Sequence, residues 1–171
     1  MTDGETVYLG LGGNVGDVMS NMAGALTSLD DRKDTNVTAV SKVYKTPPWG
    51  ITKQEWFLNC CACVQTEIGP YELLDACLNI EIDFKRKRIV RWGPRSVDVD
   101  ILLFGDISLN TESLTIPHPR MHERAFVMVP LADISPRLMV GNKSTNEWAE
   151  SLLDDRMEVI EAEADWWRNR P

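Results

Sequence analysis

Two aspartates in this sequence, Asp98 and Asp100, have a spacing that suits metal-assisted phosphate chemistry. They belong to the stretch VDVDILLF, whose alternating pattern predicts a β-strand with both carboxylates on one face. Magnesium typically takes one or two protein carboxylates and completes its coordination with water and phosphate oxygens. The pair could therefore hold one or two magnesium ions. The alternative is a strand whose outer face is simply solvated.

A basic stretch precedes this strand and favours the first interpretation. Guanidinium groups pair bidentately with phosphate oxygens, so a loop that carries several arginines could fold over a nucleotide. A solvated run of surface charge is the competing explanation. The stretch extends from Lys85 to Arg95 and holds Arg86, Arg88, Arg91, Trp92 and Arg95.

Two histidines four residues apart, His118 and His122, have the spacing of a zinc pair on a helix. Pro117 and Pro119 surround the first histidine, however, and disfavour a continuous helix through both. His118 could instead donate a hydrogen bond to a phosphate oxygen, or it could have a structural role with a backbone partner. The residues alone leave these two alternatives open.

The glycine-rich segment GLGGNVGD forms neither of the common phosphate loops. Gly10, Gly12 and Gly16 miss the dinucleotide-binding spacing, and no GK[ST] follows as in a Walker loop. Glycines after a strand allow close approach of the backbone or a positive φ. We therefore expect a structural turn between a strand and a helix.

Aromatic side chains could stack on a flat heteroaromatic ring, although such residues are more often part of the core. A polar side chain next to them could contact the edge of the ring. The aromatic candidates are Trp49, Trp56, Phe57 and Phe126, and the polar candidate is Asn59.

The elements that must position these residues follow from the hydrophobic pattern. Their order, β-α-β-β-α-β, predicts an α+β, ferredoxin-like core in which two helices cover one face of a four-stranded antiparallel sheet. The other face is then free for a site. The predicted elements are a strand Thr6 to Leu11, a helix with Met19 to Leu29 on one face, strands Val37 to Thr46 and Phe57 to Thr66, a helix opening at Gly69-Pro70, a loop Lys85 to Arg95, and the strand of the aspartates.

The remainder of the chain is expected to add helices to this core. Irregular structure around IPHPRM should precede a helix from about Glu123 to Ala132. An acidic, amphipathic helical tail should occupy about residues 145 to 171.

Composition narrows the class of protein. The 171 residues, 43% of them hydrophobic, are enough for one domain, which we expect to span residues 1–171. A net charge of −8 argues against a nucleic-acid partner. The apolar runs are too short to span a bilayer and the N-terminus is acidic, so we expect no membrane association and a cytoplasmic location. The cysteines of CCAC lack zinc spacing and should be reduced core residues.

Five segments in order resemble the 6-hydroxymethyl-7,8-dihydropterin pyrophosphokinases of folate biosynthesis. The resemblance covers about residues 7 to 136, and it implies a ferredoxin-like fold and transfer of pyrophosphate from ATP to a hydroxymethyl-dihydropterin, with AMP as the second product. The segments are YLGLGGNVGD, SKVYKTPPWG, FLNCC, RWGPRSVDVDILLFGD and IPHPRMHERAFVMVPLADISP.

The resemblance also implies roles for individual residues. It implies that Asp98 and Asp100 hold two magnesium ions that bridge the ATP phosphates, and that Arg86 and Arg95 contact the phosphates during transfer. The ATP site would be completed by Arg88, Trp92, His118 and Arg124 near Glu81 and Ile101. The pterin ring would lie between Phe57 and Phe126, with Thr46, Pro47, Trp49 and Asn59 at the ring and its edge.

A ferredoxin-like binding module is the main alternative from another class. An RNA-recognition domain should show aromatic residues and positive charge on the strand that here carries Asp98 and Asp100. A small-molecule regulatory domain has no need of paired aspartates beside arginines. The enzyme interpretation is therefore preferred, with small-molecule substrates, no obligatory protein partner and a monomeric state.

Overall fold

The computed structural model describes residues 4–48, 53, 55–86 and 96–168, and only the backbone of residues 85 and 86. The helices are α1 (Val18–Asp30), α2 (Pro70–Arg86), α3 (Ala125–Ile134) and α4 (Thr145–Leu152), with a 3₁₀ turn at Met121–Glu123. The strands are β1 (Glu5–Gly13), β2 (Thr35–Val40), β3 (Val43–Thr46), β4 (Phe57–Thr66), β5 (Asp98–Phe104), β6 (Leu109–Asn110), β7 (Thr115–Ile116), β8 (Met139–Val140), β9 (Lys143–Ser144) and β10 (Glu158–Glu161).

The main sheet is antiparallel and has the strand order β5–β1–β4–β3–β10, with β2 also paired to β4. When β2 and β3, which both pair with β4, are counted as one interrupted strand, the order from β1 to β5 is the β-α-β-β-α-β of a ferredoxin-like fold, so the predicted α+β class is confirmed. The single strand predicted from Val37 to Thr46 is instead two strands. They are separated at Ser41, whose hydroxyl accepts a hydrogen bond from the backbone N–H of Cys61 (2.8 Å).

The larger core lies between the sheet and the two helices α1 and α2. Leu9 and Leu11 of β1 point into it, and both are essentially inaccessible to solvent, as are Met22 and Leu26 of α1. Helix α1 begins at Asp17, whose carboxylate accepts hydrogen bonds from the N–H and hydroxyl of Ser20. Alternate residues of the strands therefore face this core and leave the intervening residues for the opposite face.

The opposite face is only partly free, which corrects the expectation of an open sheet face. Helix α3 and the 3₁₀ turn pack over part of it, and a second core of Cys61, Leu102, Met128 and Leu131 fills the space between them. Two hydrogen bonds fasten the end of α3 to the sheet: Tyr44 Oη donates to Asp133 Oδ2 (2.6 Å), and the hydroxyls of Tyr8 and Ser135 lie 3.1 Å apart.

Two predicted boundaries are corrected. Helix α3 begins two residues later than expected, because the chain first forms the 3₁₀ turn Met121–Glu123. Lys85 and Arg86 were assigned to a loop, but their backbone is helical and they are the last two residues of α2. Residues 87–95 of the predicted loop lie outside the described residues.

The C-terminal segment is not a helical tail. Helix α4 begins at Thr145 as expected, with a capping box between Ser144 and Glu147, but it ends at Leu152. Strand β10 then adds an edge to the sheet beside β3. Trp166 is buried, and its indole N–H donates to the carbonyl oxygen of Ser41 (3.1 Å). Trp166 and Trp167, which follow α4, therefore belong to the core.

The cysteines behave as the sequence predicts. Cys60, Cys61 and Cys77 are buried and free, and Cys63 is half-buried. Burial raises the pKa of Cys60 and of Cys77 to about 12, so these thiols stay protonated. In the part of the chain that the structure describes, no helix combines the length and the hydrophobicity needed to cross a bilayer.

The Trp166→Ala substitution tests whether the C-terminal segment is part of the fold. It should lower the free energy of unfolding in urea by about 3–5 kcal/mol, because it opens a cavity and removes a buried hydrogen bond. Leu153→Ala is the control: this side chain is 66% exposed, so its loss should change stability by no more than about 0.5 kcal/mol. Equal effects of the two substitutions would contradict the assignment of Trp166 to the core.

Candidate active site

Two rows of residues cross the sheet on the face that α3 leaves partly open. In the first row, Gly12 of β1 pairs with Asn59 of β4 on one side and with Asp98 of β5 on the other. In the second row, Gly10 pairs with Cys61 and with Asp100. Because strand residues alternate between faces, both aspartates lie on the same face, as predicted. A glycine without a side chain separates each aspartate from β4.

A cavity of about 300 Å³ lies above these rows, and we call it the sheet cavity. The glycines form its floor together with neighbouring backbone, and one of its walls is the start of α3. It is lined by Gly10, Leu11, Gly12, Thr46, Pro47, Phe57, Asn59, Cys60, Asp98, Asp100, Leu102, His118, Arg124, Phe126 and Val127.

A second cavity of about 430 Å³ lies between α2, β5 and the β6–β7 connection, and we call it the α2 cleft. Its lining combines apolar side chains with the carboxylates of four acidic residues. It is lined by Leu74, Leu78, Glu81, Asp98, Val99, Asp100, Ile101, Glu112, Ser113, Leu114, Thr115, His118 and Pro119.

The two cavities share three residues, Asp98, Asp100 and His118. Asp98 is half-exposed and Asp100 is exposed, so both carboxylates are accessible to a ligand. A molecule in the sheet cavity and a molecule in the α2 cleft would therefore meet at the aspartates. This arrangement suits a reaction between two small molecules better than the binding of one.

His118 is held by backbone contacts on both sides. Its backbone N–H donates to the carbonyl oxygen of Leu102 (2.9 Å), and its ring nitrogen Nδ1 accepts from the backbone N–H of Arg120 (3.3 Å). Burial lowers the pKa of the imidazole, the charges of Arg124 and Arg120 lower it further, and the charge of Asp100 raises it. The ring is therefore favoured in its neutral form, with the proton on Nε2.

Asn59 and Thr46 form a hydrogen bond in the sheet cavity. Both side chains are buried, and Asn59 Nδ2 donates to Thr46 Oγ1 at 2.7 Å. The aromatic side chains of Phe57 and Phe126 line the same cavity, and the Arg124 guanidinium carbon lies 5.5 Å from the centroid of the Phe126 ring. The cavity therefore combines flat apolar surfaces with an oriented amide.

Glu81 links α2 to the strand of the aspartates. Its Oε1 accepts a hydrogen bond from the backbone N–H of Val99 (2.8 Å). Val99 lies between Asp98 and Asp100, so this bond holds the strand at the position where the carboxylates project. Ile101, two residues further along, lines the same cleft.

The two carboxylates at the shared edge suit magnesium. Asp98 and Asp100 offer oxygen ligands only, which is the preference of hard divalent cations. Among the described residues no group of three or more His, Cys, Asp or Glu is arranged to hold a metal ion. His122 lies against Trp148, with ring centroids 5.3 Å apart, whereas His118 lines the cavities.

The structure brings most of the predicted site residues together. Thr46, Pro47, Phe57, Asn59, Arg124 and Phe126 line the sheet cavity, Glu81 and Ile101 line the α2 cleft, and Asp98, Asp100 and His118 line both. Arg86 is the last residue of α2, and its side chain is not described. Trp49, Arg88, Trp92 and Arg95 lie outside the described residues.

Sequence reasoning missed the glycine floor and most of the α2 cleft. Gly10 was placed in the predicted strand and Gly12 in the turn that follows it, but both belong to β1; within this segment Gly16, with a φ of 73°, has the turn conformation. The alternation of Gly10 and Gly12 with Leu9 and Leu11 was the available signal, since it has the period of a strand. The cleft residues Glu112 to Thr115 are polar or isolated and carry no comparable pattern.

A carboxylate pair between two cavities on this α+β fold suits an enzyme that transfers a group between two small ligands. The chain matches a family model described as 7,8-dihydro-6-hydroxymethylpterin-pyrophosphokinase (HPPK) over residues 8–136. This chain belongs to that pyrophosphokinase family.

Similar proteins carry the same description. A 2-amino-4-hydroxy-6-hydroxymethyldihydropteridine pyrophosphokinase of Methylorubrum extorquens is 44% identical over 154 residues, which are 90% of this chain and 98% of that protein. A protein of the same name from Bacillus subtilis is 45% identical over 127 residues, covering 74% of this chain and 76% of the relative.

Solved structures agree on the fold. The chain of Plasmodium falciparum HPPK-DHPS with pteroate matches with a TM-score of 0.77 at 13% identity, over 96% of this chain and 50% of that one. The present chain thus spans about half the length of that structure. The prediction of an ATP-dependent pyrophosphokinase of folate biosynthesis acting on 6-hydroxymethyldihydropterin is confirmed by the family and its named relatives.

The charge environment of His118 can be tested directly. Asp100→Asn should lower the pKa of His118 further, because the Asp100 charge is the contribution that opposes the depression. NMR titration of the His118 ring protons in the metal-free protein measures this. A higher pKa of His118 in the variant would contradict the geometry of the shared edge.

Proposed function

We propose that the two cavities divide the two substrates. The dihydropterin binds in the sheet cavity, ATP binds in the α2 cleft, and Asp98 and Asp100 hold two magnesium ions where the substrates meet. The observation that carries this proposal is the sharing of Asp98, Asp100 and His118 by both cavities.

The sheet cavity suits a flat bicyclic ring. Phe57 and Phe126 supply apolar surfaces on which a heteroaromatic ring can stack, and a cavity of about 300 Å³ matches a small ligand. Thr46, Pro47 and the amide of Asn59 provide the polar contacts at the ring edge. Trp49, which lies outside the described residues, is proposed to contact the ring as well.

The α2 cleft suits a nucleotide with its phosphates toward the aspartates. Leu74, Leu78, Ile101 and Leu114 line the cleft and offer apolar surface for a base. His118 is neutral with its proton on Nε2, so it can donate a hydrogen bond to a phosphate oxygen. Arg124 adds positive charge on the side of the sheet cavity.

Arg86, at the end of α2, and Arg95 are proposed to contact the phosphates during transfer. Arg88 and Trp92, which lie between them in the sequence, are proposed to complete the nucleotide site. Guanidinium groups are suited to this role because they bind phosphate oxygens bidentately and keep their charge at any physiological pH.

The reaction requires positioning more than covalent chemistry by the protein. The hydroxymethyl oxygen of the pterin attacks the β-phosphorus of ATP and loses its proton to water. An O–P bond forms there, and the bond from the β-phosphorus to the α,β-bridging oxygen breaks, so that AMP leaves with the electron pair and the β- and γ-phosphates remain on the pterin. Stacking between Phe57 and Phe126 would orient the pterin, and His118 and the arginines would stabilise negative charge on the phosphates. When bound, the magnesium ions supply charge neutralisation and alignment of the phosphate oxygens.

We further infer that residues 1–171 act as a single domain and as a cytoplasmic monomer. ATP is an intracellular substrate, and Cys60, Cys61, Cys63 and Cys77 are free thiols, as is usual in a reducing compartment.

Removal of either carboxylate tests the metal site. Asp98→Ala and Asp100→Ala should each lower pterin-dependent AMP release from ATP by at least about a hundredfold, because phosphate charge is no longer neutralised at the transfer point. AMP is measured by chromatography, with folding checked by circular dichroism. Glu158→Ala, which removes an exposed carboxylate on the edge strand β10, should retain activity. Release of ADP, or activity that persists in both aspartate variants, would contradict the proposal.

The division of substrates predicts separable effects on the two Michaelis constants. Phe126→Ala should raise the KM for the pterin about tenfold or more and change the KM for ATP by less than about threefold. Leu78→Ala, which removes an apolar side chain from the α2 cleft, should raise the KM for ATP and leave the KM for the pterin unchanged. Steady-state rates with each substrate varied in turn decide this. The opposite pairing of effects would reverse the assignment of the cavities.

A further inference from the structure

The amide of Asn59 is held between two neighbours on the floor of the sheet cavity. Its Nδ2 donates to Thr46 Oγ1, and its Oδ1 lies over the Cα of Gly12. A Cβ atom added at Gly12 would collide with Asn59 Oδ1 and would lie 3.3 Å from Asn59 Cγ and 3.3 Å from the carbonyl oxygen of Leu58. The amide therefore occupies the space that any side chain at position 12 would need.

The backbone at Gly12 does not itself require glycine. Within residues 4–48, 55–86 and 96–168, positive φ values occur at Gly16, Gly105 and Gly141, and Gly12 is in ordinary strand conformation. Any amino acid can adopt that conformation. The requirement for glycine at this position thus arises from the contact with Asn59 and not from the backbone conformation of Gly12.

Gly10 provides the comparison, because it lies on the same strand and faces the same cavity. A Cβ atom there would meet the side chain of Leu102 at 3.5 Å and nothing closer, which is ordinary van der Waals contact. The same methyl group is therefore accommodated at position 10 and obstructed at position 12.

We propose that Gly12 is a positioning residue for the pterin, acting through Asn59. Without a side chain at position 12, the amide keeps Nδ2 on Thr46 and presents Oδ1 to the cavity as an acceptor for an N–H group at the ring edge. A Cβ atom would rotate the amide, break its bond to Thr46 and leave a buried donor without a partner. This inference rests on the proposed placement of the pterin in the sheet cavity.

A double-mutant cycle tests the inference. At saturating ATP, Gly12→Ala should raise the KM for 6-hydroxymethyl-7,8-dihydropterin about tenfold or more, with the KM for ATP changed by less than about threefold. Gly10→Ala should raise the pterin KM less than Gly12→Ala. In the background of Asn59→Ala, adding Gly12→Ala should cause no further rise beyond about twofold, because the side chain through which it acts is gone.

The outcomes separate this inference from the proposal on which it rests. If Asn59→Ala leaves the pterin KM unchanged, the proposed placement of the ring fails. If Asn59→Ala raises the KM but the effect of Gly12→Ala is fully additive to it, the placement stands and the role of Gly12 is overturned. Equal effects of Gly10→Ala and Gly12→Ala also overturn it.

A folding defect in the single variant would still be informative. If Gly12→Ala fails to fold by circular dichroism, the variant that combines it with Asn59→Ala should fold, because it removes the obstructing amide. A double variant that also fails to fold would place the obstruction at the carbonyl of Leu58 and overturn the role of Gly12 through Asn59.

Discussion

The central strand β1 is the constraint on which the site depends. It pairs on one side with β4 and on the other with β5, and these two pairings set the register of Asn59 and Asp98 relative to each other. A change of register by one residue would turn either side chain to the helical core. The amide of Asn59 and the carboxylates are far apart in sequence, and their proximity follows from the hydrogen bonding of one strand.

The same strand explains how a packed sheet can hold a cavity. Leu9 and Leu11 fill the core under α1, whereas Gly10 and Gly12 leave the opposite face without side chains. Helix α3 covers that face only in part, where Cys61, Leu102 and Met128 pack together. Apolar contact therefore provides stability on one face, and the absence of side chains provides the space on the other.

The pattern of the sequence was sufficient for the core of the fold and for the carboxylate pair. The β-α-β-β-α-β order and the shared face of Asp98 and Asp100 both follow from local periodicity, which is strong in long amphipathic segments. The role of Gly12 could not be inferred in this way, because it depends on a contact with Asn59 that exists only after β1 and β4 pair. Strand β10 was missed for a similar reason: its short sequence EVIE becomes a strand by pairing with β3.

The electrostatics of the site impose a further condition on nucleotide binding. The protein carries a net charge of −8, and the groups where the two cavities meet are two carboxylates and a histidine that is favoured in its neutral form. Phosphate groups placed at this edge would be repelled by Asp98 and Asp100 unless cations accompany them. Under the proposed placement, binding of ATP and of divalent cations must therefore be coupled, each increasing the affinity for the other, since linkage is reciprocal. The carboxylates that disfavour a bare nucleotide are then the groups that select its metal complex.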